Sequence, residues 1–347
     1  MKQVNVLVTG SGSLYGVAII QSLLNGPLNC RVTACDTNAM TLGLYLAHKG
    51  YLVPPASKEE IWLNKIIDIC RREKIHGILI GSSHEIEGFA RHKDYIFQQT
   101  GARVFVHSPE VIATCKDKWL TLNFLKENGF YFPQTLRWPE DKALLPDFIE
   151  RVGFPLVAKP RIGAGSRGVA VLSNIKELNQ FAGDKKDYII QEYLPGDDGE
   201  FTVGVCLGAK GTVLSCIALK RCLQDGMTMW AVADSYPQIC SYCQRVAEML
   251  GGYGPCNLQL RLKNGKPYIF EINPRFSSST GMRIALGVKE PELLIRSEIL
   301  GQKVTKPTAG RGVVIRQYTD YVIPLERVNN LTSSQCFNTC FEFLSPG

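Results

Sequence analysis

The hydrophobic rhythm of the chain changes part-way along its length. Over residues 1 to about 112, short apolar runs alternate with stretches of helical period. "VNVLVTG" (4–10) reads as a strand and 16–24 as a helix. "RVTACD" (31–36) is a second strand. "EEIWLNKIIDICRREK" (59–74) is an amphipathic helix with Ile61, Ile66, Ile69 and Cys70 on one side. "IHGILIGSS" and "ARVFVHS" are a third and fourth strand. "SPEVIATC" then starts a helix with Ser108 as N-cap and Pro109 at its first position. Such alternation predicts a parallel sheet with helices on its faces.

From about residue 113 the pattern is mixed α+β. "KDKWLTLNFLKENG" is a helix ending at Gly129, and another helix spans about 142–151. "FPLVAKP" and "DYIIQEYL" read as strands, with "GAGSRGVAVL" a glycine loop running into a strand between them. "EFTVGVCLG" and "VLSCIALKRC" make one hairpin, followed by a helix at about 239–250. "NLQLRLKNGKPYIFEIN" (257–273) makes a second hairpin, and "EPELLIRSEILG" is a closing helix. The last twenty residues carry no readable pattern.

The late hairpin brings polar groups together. Strand side chains alternate faces, so Glu271, Asn273 and Arg275 point one way and Phe270 and Ile272 the other. On the partner strand, Leu258, Leu260 and Leu262 form the apolar set and Gln259 and Arg261 the polar set. A two-residue turn at Asn264–Gly265 would set the leucines against Glu271. A three-residue connection pairs Leu260 with Phe270 and places Gln259 across from Glu271, so it is the expected register. Oxygen ligands with one formal charge suit Mg²⁺ (or Mn²⁺) that is also held by phosphates. The same row would also suit the solvent face of an ordinary hairpin.

Composition narrows the classes. Of 347 residues, 45% are apolar and 20% charged, as in an ordinary globular protein, with no apolar run long enough to span a membrane. The first residues form a strand rather than an export signal, so the twelve cysteines are expected as free thiols in the cytoplasm. Cys240 and Cys243 form one CxxC without a second ligand pair, and with Ala247 they follow a helical period. A buried helix face is expected there, and likewise for Cys336 and Cys340. The net charge of +7 is not gathered into an aromatic-laced stripe, so nucleic acid is not an expected partner.

Two further stretches suit phosphate chemistry. Lys159 ends an apolar strand, and Gly163, Gly165 and Gly168 follow with Ser166 and Arg167 between them. Such a loop can bring backbone N–H groups to phosphate oxygens. Its spacing is not that of a P-loop. In "IIQEYLPGDDGEFTV", Glu192 ends one strand and Glu200 opens the next. A plain turn and acid-tipped strands would read the same way in isolation.

Taken in order, "GFPLVAKP", "GAGSRGV", "IIQEYLPGDDGEFTV" and "NLQLRL…PYIFEINPRFSSSTG" resemble the ATP-grasp superfamily, over about residues 1–320. The resemblance is to a single synthetase unit of the carbamoyl phosphate synthetase large subunit. It implies an N-terminal Rossmann-like parallel-sheet domain (1–112) followed by a two-lobed ATP-grasp fold. The small lid subdomain would be 113–187 and the large one 188–325, leaving a tail at 326–347. It implies Lys116 and Lys159 on ATP phosphates under the Gly163–Gly168 loop, which includes Ser166. It implies Glu192, Tyr193 and Leu194 at the adenine, and Glu200 near the ribose. Gln259, Glu271 and Asn273 would hold magnesium, and Arg275 would act at the reacting centre.

The implied reaction phosphorylates a carboxylate to an acyl phosphate, which a nitrogen nucleophile then attacks. With one unit and no glutaminase portion, a stand-alone carboxylate–amine ligase is the expectation. A carbamoyl phosphate synthetase-like enzyme working with a partner subunit is the alternative. Ser82, Glu85, Ser278 and Arg283 are candidates for the substrate pocket, whereas His84 reads as a loop-surface histidine. Substrates are expected to be small molecules, with a homodimer a fair expectation. A reading of another class rests on "VTGSGSLYG" and Asp36, which resemble a nicotinamide-cofactor fingerprint and suggest an oxidoreductase. The spacing of Gly10, Gly12 and Gly16 is one residue off that pattern.

Overall fold

The computed structural model describes residues 3–338, apart from 164, 166, 183, 184 and 225. The first part of the chain runs β1 (Val4–Thr9), α1 (Leu14–Leu24), β2 (Cys30–Asp36), α2 (Leu42–Leu46), β3 (Lys49–Leu52), α3 (Glu59–Arg72), β4 (Gly77–Ile80), α4 (Ile86–Thr100) and β5 (Arg103–Val104). Then come α5 (Pro109–Lys116), α6 (Lys118–Glu127), β6 (Thr135–Trp138), α7 (Leu145–Val152), β7 (Leu156–Pro160), β8 (Ala170–Leu172), α8 (Ile175–Ala182) and β9 (Tyr188–Glu192). The remainder is β10 (Glu200–Leu207), β11 (Val213–Gln224), β12 (Met227–Ala233), α9 (Pro237–Met249), β13 (Gly254–Lys263), β14 (Lys266–Asn273), α10 (Thr280–Ala285), α11 (Glu290–Leu294), β15 (Gly312–Ile315), α12 (Leu325–Ser334) and β16 (Cys336–Asn338).

β1 lies inside a sheet of order β16-β3-β2-β1-β4-β5 and is parallel to both neighbours. Val4, Val6, Leu7 and Val8 are all buried, as a strand covered on both faces requires. Helix α3 buries Ile66, Ile69 and Cys70 as expected, but Ile61 is 62% exposed and Trp62 takes its place. The Trp62 ring meets Phe89 edge-on at 4.7 Å, a larger apolar contact than isoleucine would make.

The tail returns to this sheet. Leu331 of α12 is fully buried, and β16 pairs antiparallel with β3 through Cys336 and Tyr51. Cys336 therefore opens a strand and not a helix face; Cys340 lies outside the described residues. The difference between a 3.6-residue and a 2-residue period is too little signal over so short an element.

The other two sheets are antiparallel. One has the order β14-β13-β10-β11-β12-β15 and the other β6-β9-β7-β8. Cys243 and Ala247 of α9 are buried against the larger sheet, in line with the helical reading of the CxxC.

The β13–β14 hairpin turns differently from expectation. Asn264 and Gly265 both have positive φ, 53° and 70°, and form a two-residue turn of the primed type. Lys263 pairs with Lys266, Leu262 with Pro267 and Leu260 with Ile269. The register then shifts, so that Gln259 pairs with Glu271 and Phe270 is left over as a bulge. The tight turn and the apolar alternation are both satisfied by that one extra residue. Ile269 and Ile272 face the core, while Phe270 and Glu271 both turn to the other side.

Candidate active site

Between the four-stranded sheet and the β13–β14 hairpin lies a cleft enclosing about 230 Å³. Its walls include Lys159 from β7, Glu192 to Leu194 at the end of β9, and Gln259, Phe270 and Glu271. Gly163 and Gly165 of the glycine loop border it, and Gly168 closes that loop at φ 74° beside Pro160. Ser166 lies outside the described residues.

Lys159 is buried, with Nζ 3.5 Å from the Phe270 carbonyl and 5.5 Å from the centre of that ring. Burial pushes its pKa down to about 8; Glu271 pulls it back up, while Lys118 and Arg261 lower it further. Lys118 is the second buried lysine, and its Nζ donates to the Gly163 carbonyl at 3.1 Å. Burial lowers its pKa too, against the pull of Glu271 and Asp117.

The lysine expected here, Lys116, is not in the cleft. It ends α5, pairs with Glu87 at 2.5 Å and borders a separate surface cavity. The cause is local. Asp117 caps α6 by accepting from Trp119 N, and the Lys118 N–H donates to the Arg161 carbonyl at 3.0 Å. The chain thereby breaks between two helices, and the residue after Asp117 faces the glycine loop. The aspartate in "CKDK" is the cap signal that could have chosen between the two lysines.

The hairpin wall carries the expected oxygen set. Asn273 Nδ2 donates to Glu271 Oε1 at 2.9 Å, and Arg275 donates to Asn273 Oδ1 at 3.0 Å. Gln259 Oε1 accepts from Arg221 at 2.8 Å. Two amide oxygens thus lie under guanidinium control beside one carboxylate. Among the described residues no three His, Cys, Asp or Glu side chains are placed to hold a metal ion. The donors fit a hard divalent cation only if phosphate oxygens complete its shell.

Glu200 lines the cleft with both oxygens engaged. Arg221 approaches one at 2.6 Å and Arg261 the other at 2.7 Å. Arg261 stands with Gln259 in the polar set of its strand, as the sequence places it, whereas nothing in the sequence marks Arg221. Glu192 pairs with Lys263 and accepts from Gln134 N at 3.1 Å.

The proposed substrate residues separate. Arg283 is fully buried, with its Nε–Nη2 edge bonded to both Glu290 oxygens at 2.9 Å, Nη1 donating to Ser277 and Ser279, and Nη2 also to Thr280. It packs the loop and does not line the cleft. A bidentate partner seven residues beyond Arg283, across a loop, could not be paired by pattern alone. The Ser278 carbonyl accepts from Arg316. Glu85 is buried beneath the first glycine turn, accepting from Thr9 at 2.7 Å and Trp62 at 3.4 Å. Burial lifts its pKa to about 7 against those two bonds, with Asp36 adding to the rise. Ser82 is half-buried and accepts from His84 N, and His84 is exposed.

The glycine turn of the dinucleotide reading lies in the same region. Asp36 accepts from Gly12 N at 2.9 Å, and a Cβ on Gly12 would sit 2.4 Å from the Thr41 methyl. Gly16 lets α1 approach the Gly10 carbonyl.

Residues 115–279 match the model of an ATP-grasp domain, and residues 6–105 that of a PylC-like N-terminal domain. The chain belongs to the ATP-grasp superfamily. It is similar to a formate-dependent phosphoribosylglycinamide formyltransferase of Nitratiruptor sp., 24% identical over 292 residues, covering 80% of this chain and 71% of that protein. It is also 22% identical over 239 residues to the carbamoyl phosphate synthase large chain of Sulfurisphaera tokodaii, covering 64% of this chain and 22% of that one. In structure it resembles the biotin carboxylase domain of the Hydrogenobacter thermophilus 2-oxoglutarate carboxylase, solved with MgADP and bicarbonate. The TM-score is 0.68 at 17% identity, covering 90% of this chain and 74% of that one. This ATP-grasp protein is an ATP-dependent ligase of the carboxylate–amine type. Among the described residues no helix is long and apolar enough to cross a membrane.

Proposed function

We propose that the cleft holds Mg·ATP and that the chain couples a small carboxylate to a nitrogen nucleophile at the mouth of the β13–β14 hairpin. The observation that carries this is the placement of buried Lys159 and Lys118 around the cleft, in the field of Glu271 at the head of the oxygen row. Two desolvated cations facing a carboxylate suit a ligand that brings both phosphates and a divalent cation. The extended segment Glu192 to Leu194 offers backbone groups to an adenine edge. Gln259, Glu271 and Asn273 would hold the cation, which supplies neutralisation of phosphate charge. Arg275, half-buried and oriented by Asn273, the Phe276 carbonyl and the Tyr15 ring, stabilises negative charge on the reacting centre. Phosphorylation turns a poor leaving oxygen into phosphate, and the walls keep water from the acyl phosphate. Glu200 serves this site through its two arginines, with its own oxygens already engaged.

A cytoplasmic setting suits the eleven free cysteines among the described residues, and a homodimer is the assembly we expect. The test is ADP and phosphate release with Mg²⁺ over a matrix of carboxylates and amines, with bicarbonate and ammonia as one arm. Release that requires both partners is expected. No release in any arm, together with no calorimetric heat from Mg·ATP, would overturn the proposal.

A further inference from the structure

The two halves of the CxxC part company in the fold. Cys243 of α9 is fully buried, whereas Cys240, one turn earlier, is half-buried. Cys240 faces Cys216 of β11, which is also half-buried. The Cys216 thiol donates to the Cys240 carbonyl with Sγ 3.6 Å from the oxygen, and it is hydrogen-bonded to the Cys240 sulfur as well. Side chains alternate along β11. Cys216 and Ala218 pack on the α9 side, and Ile217 and Leu219 on the other. Arg221 falls with the second set, so the thiol pair lies across the sheet from the cleft wall.

Of the eleven free cysteines among the described residues, seven are buried and four half-buried. Thiols buried in apolar surroundings are inert, which leaves the four. Cys222 donates to the Leu223 carbonyl, and Cys336 stands beside the Tyr51 hydroxyl. Neither is bonded to a second thiol among the described residues. Cys240 is the fourth residue of α9 and lies in its first turn, where the helix dipole favours a thiolate. The hydrogen bond from Cys216 draws the Cys240 pKa down against burial, with help from the Ala218 backbone. The same hydrogen bond, together with burial, keeps Cys216 protonated. One sulfur is thus prepared as a nucleophile, and its neighbour is held beside it as a thiol. Among the described residues no third ligand joins them to hold a metal ion.

We propose that Cys240 is a peroxide-reactive thiol and Cys216 its resolving partner, so that a hydroperoxide converts the pair to a reversible disulfide between α9 and β11. With hydrogen peroxide, the Cys240 thiolate attacks one oxygen and the O–O bond breaks. Hydroxide leaves and takes up a proton as water, and Cys240 becomes a sulfenic acid. The Cys216 sulfur then attacks the Cys240 sulfur. The S–S bond forms, the S–O bond breaks, and a second water leaves with the Cys216 proton. The two thiols lose two electrons, and the peroxide is reduced to two waters. The inference is independent of the ligase reading.

The test uses the reduced full chain with hydrogen peroxide at about one to ten equivalents, quenched with N-ethylmaleimide and followed by intact mass and peptide mapping. We expect wild type to lose two hydrogens, with the peptides carrying Cys216 and Cys240 cross-linked as the dominant disulfide. Dithiothreitol should restore both thiols. In Cys216→Ser the sulfenic acid has no resolving thiol, so dimedone should label Cys240. In Cys240→Ser the peroxide-dependent loss of the Cys216 thiol should slow about tenfold or more. Far-ultraviolet dichroism like that of wild type reports an intact fold in both variants, and the wild-type mapping needs neither. Oxidation of Cys222 or Cys336 at doses that leave Cys216 and Cys240 reduced overturns the proposal. So does a folded Cys216→Ser variant that takes no dimedone at Cys240.

Discussion

Lys159 ties the nucleotide site to pH in a way that calorimetry can count. Its pKa in the free protein is pushed down to about 8 by burial, so near pH 8 the amine is about half protonated. Polyphosphate placed against Nζ favours the charged form and shifts the pKa up by about one unit or more. Occupancy then rises from about 0.5 to about 0.9, so Mg·ATP binding takes up roughly 0.4 proton at pH 8. Titrations in HEPES and in Tris, whose ionisation heats differ, give that number from the slope of heat against buffer enthalpy. Uptake should fall towards zero by pH 6, where the lysine is already charged. In Lys159→Met it should drop to less than half at pH 8, with affinity about 10- to 100-fold weaker. Equal heats in the two buffers for wild type, or full uptake in Lys159→Met, would refute the reasoning. The same shift has a stability consequence. The folded pKa lies below the unfolded value of 10.5, so the unfolded chain binds more protons between about pH 8 and 10.5. The stability of the free protein should therefore climb across that window, by on the order of 3 kcal/mol from this group.

Lys118→Ala should weaken Mg·ATP binding about tenfold or more in calorimetry. Lys116→Ala should leave it within about twofold, because Lys116 pairs with Glu87 at the surface, the two side chains 47% and 45% exposed. Arg283→Ala strands Glu290 in the core and should cost about 3–5 kcal/mol in urea unfolding, and adding Glu290→Leu should recover part of that loss. Glu85 has a folded pKa of about 7 against an ordinary 4.5, so its stability contribution is complete below pH 4.5 and lost as pH rises through 7. Wild type should accordingly lose about 3 kcal/mol relative to Glu85→Gln between pH 4.5 and 8, read from denaturation midpoints.

β1, β2 and the strands of the two antiparallel hairpins were legible because their apolar patterns run over six or more residues, and β4 because its four residues are preceded and followed by apolar or turn signals. β3, at Lys49–Leu52, and β15, at Gly312–Ile315, are too short for a period to stand out. The α12–β16 return is defined by pairing with a strand almost three hundred residues earlier, which no local pattern carries. The site was legible where chemistry and alternation coincide, as at Gln259, Glu271 and Asn273. It was illegible where a long-range partner decides the role. Arg283 reads as a loop arginine until Glu290 is placed beside it, and Glu200 reads as free until Arg221 and Arg261 arrive. Lys116 and Lys118 differ by two positions, and a single capping aspartate determines which of them is buried.

The hairpin bulge joins these threads. With a two-residue turn and no extra residue, Leu260 would pair with Ile269 and Gln259 with the residue that follows it. Removing Phe270 makes that following residue Glu271, so the pairing of Gln259 with Glu271 and of Leu258 with Ile272 is unchanged. The core face keeps every member, since Phe270 is outside it. The fold therefore does not need Phe270, whereas the cleft does, because its ring and carbonyl lie against the Lys159 ammonium. A deletion of Phe270 should fold, with far-ultraviolet dichroism like that of wild type and a melting temperature lowered by a few degrees at most. Its affinity for Mg·ATP should fall about tenfold or more as the lysine loses its rest and the local twist relaxes. A deletion variant that fails to fold would show that the bulge serves the sheet. One that folds and binds Mg·ATP as wild type does would show that the cleft does not use it.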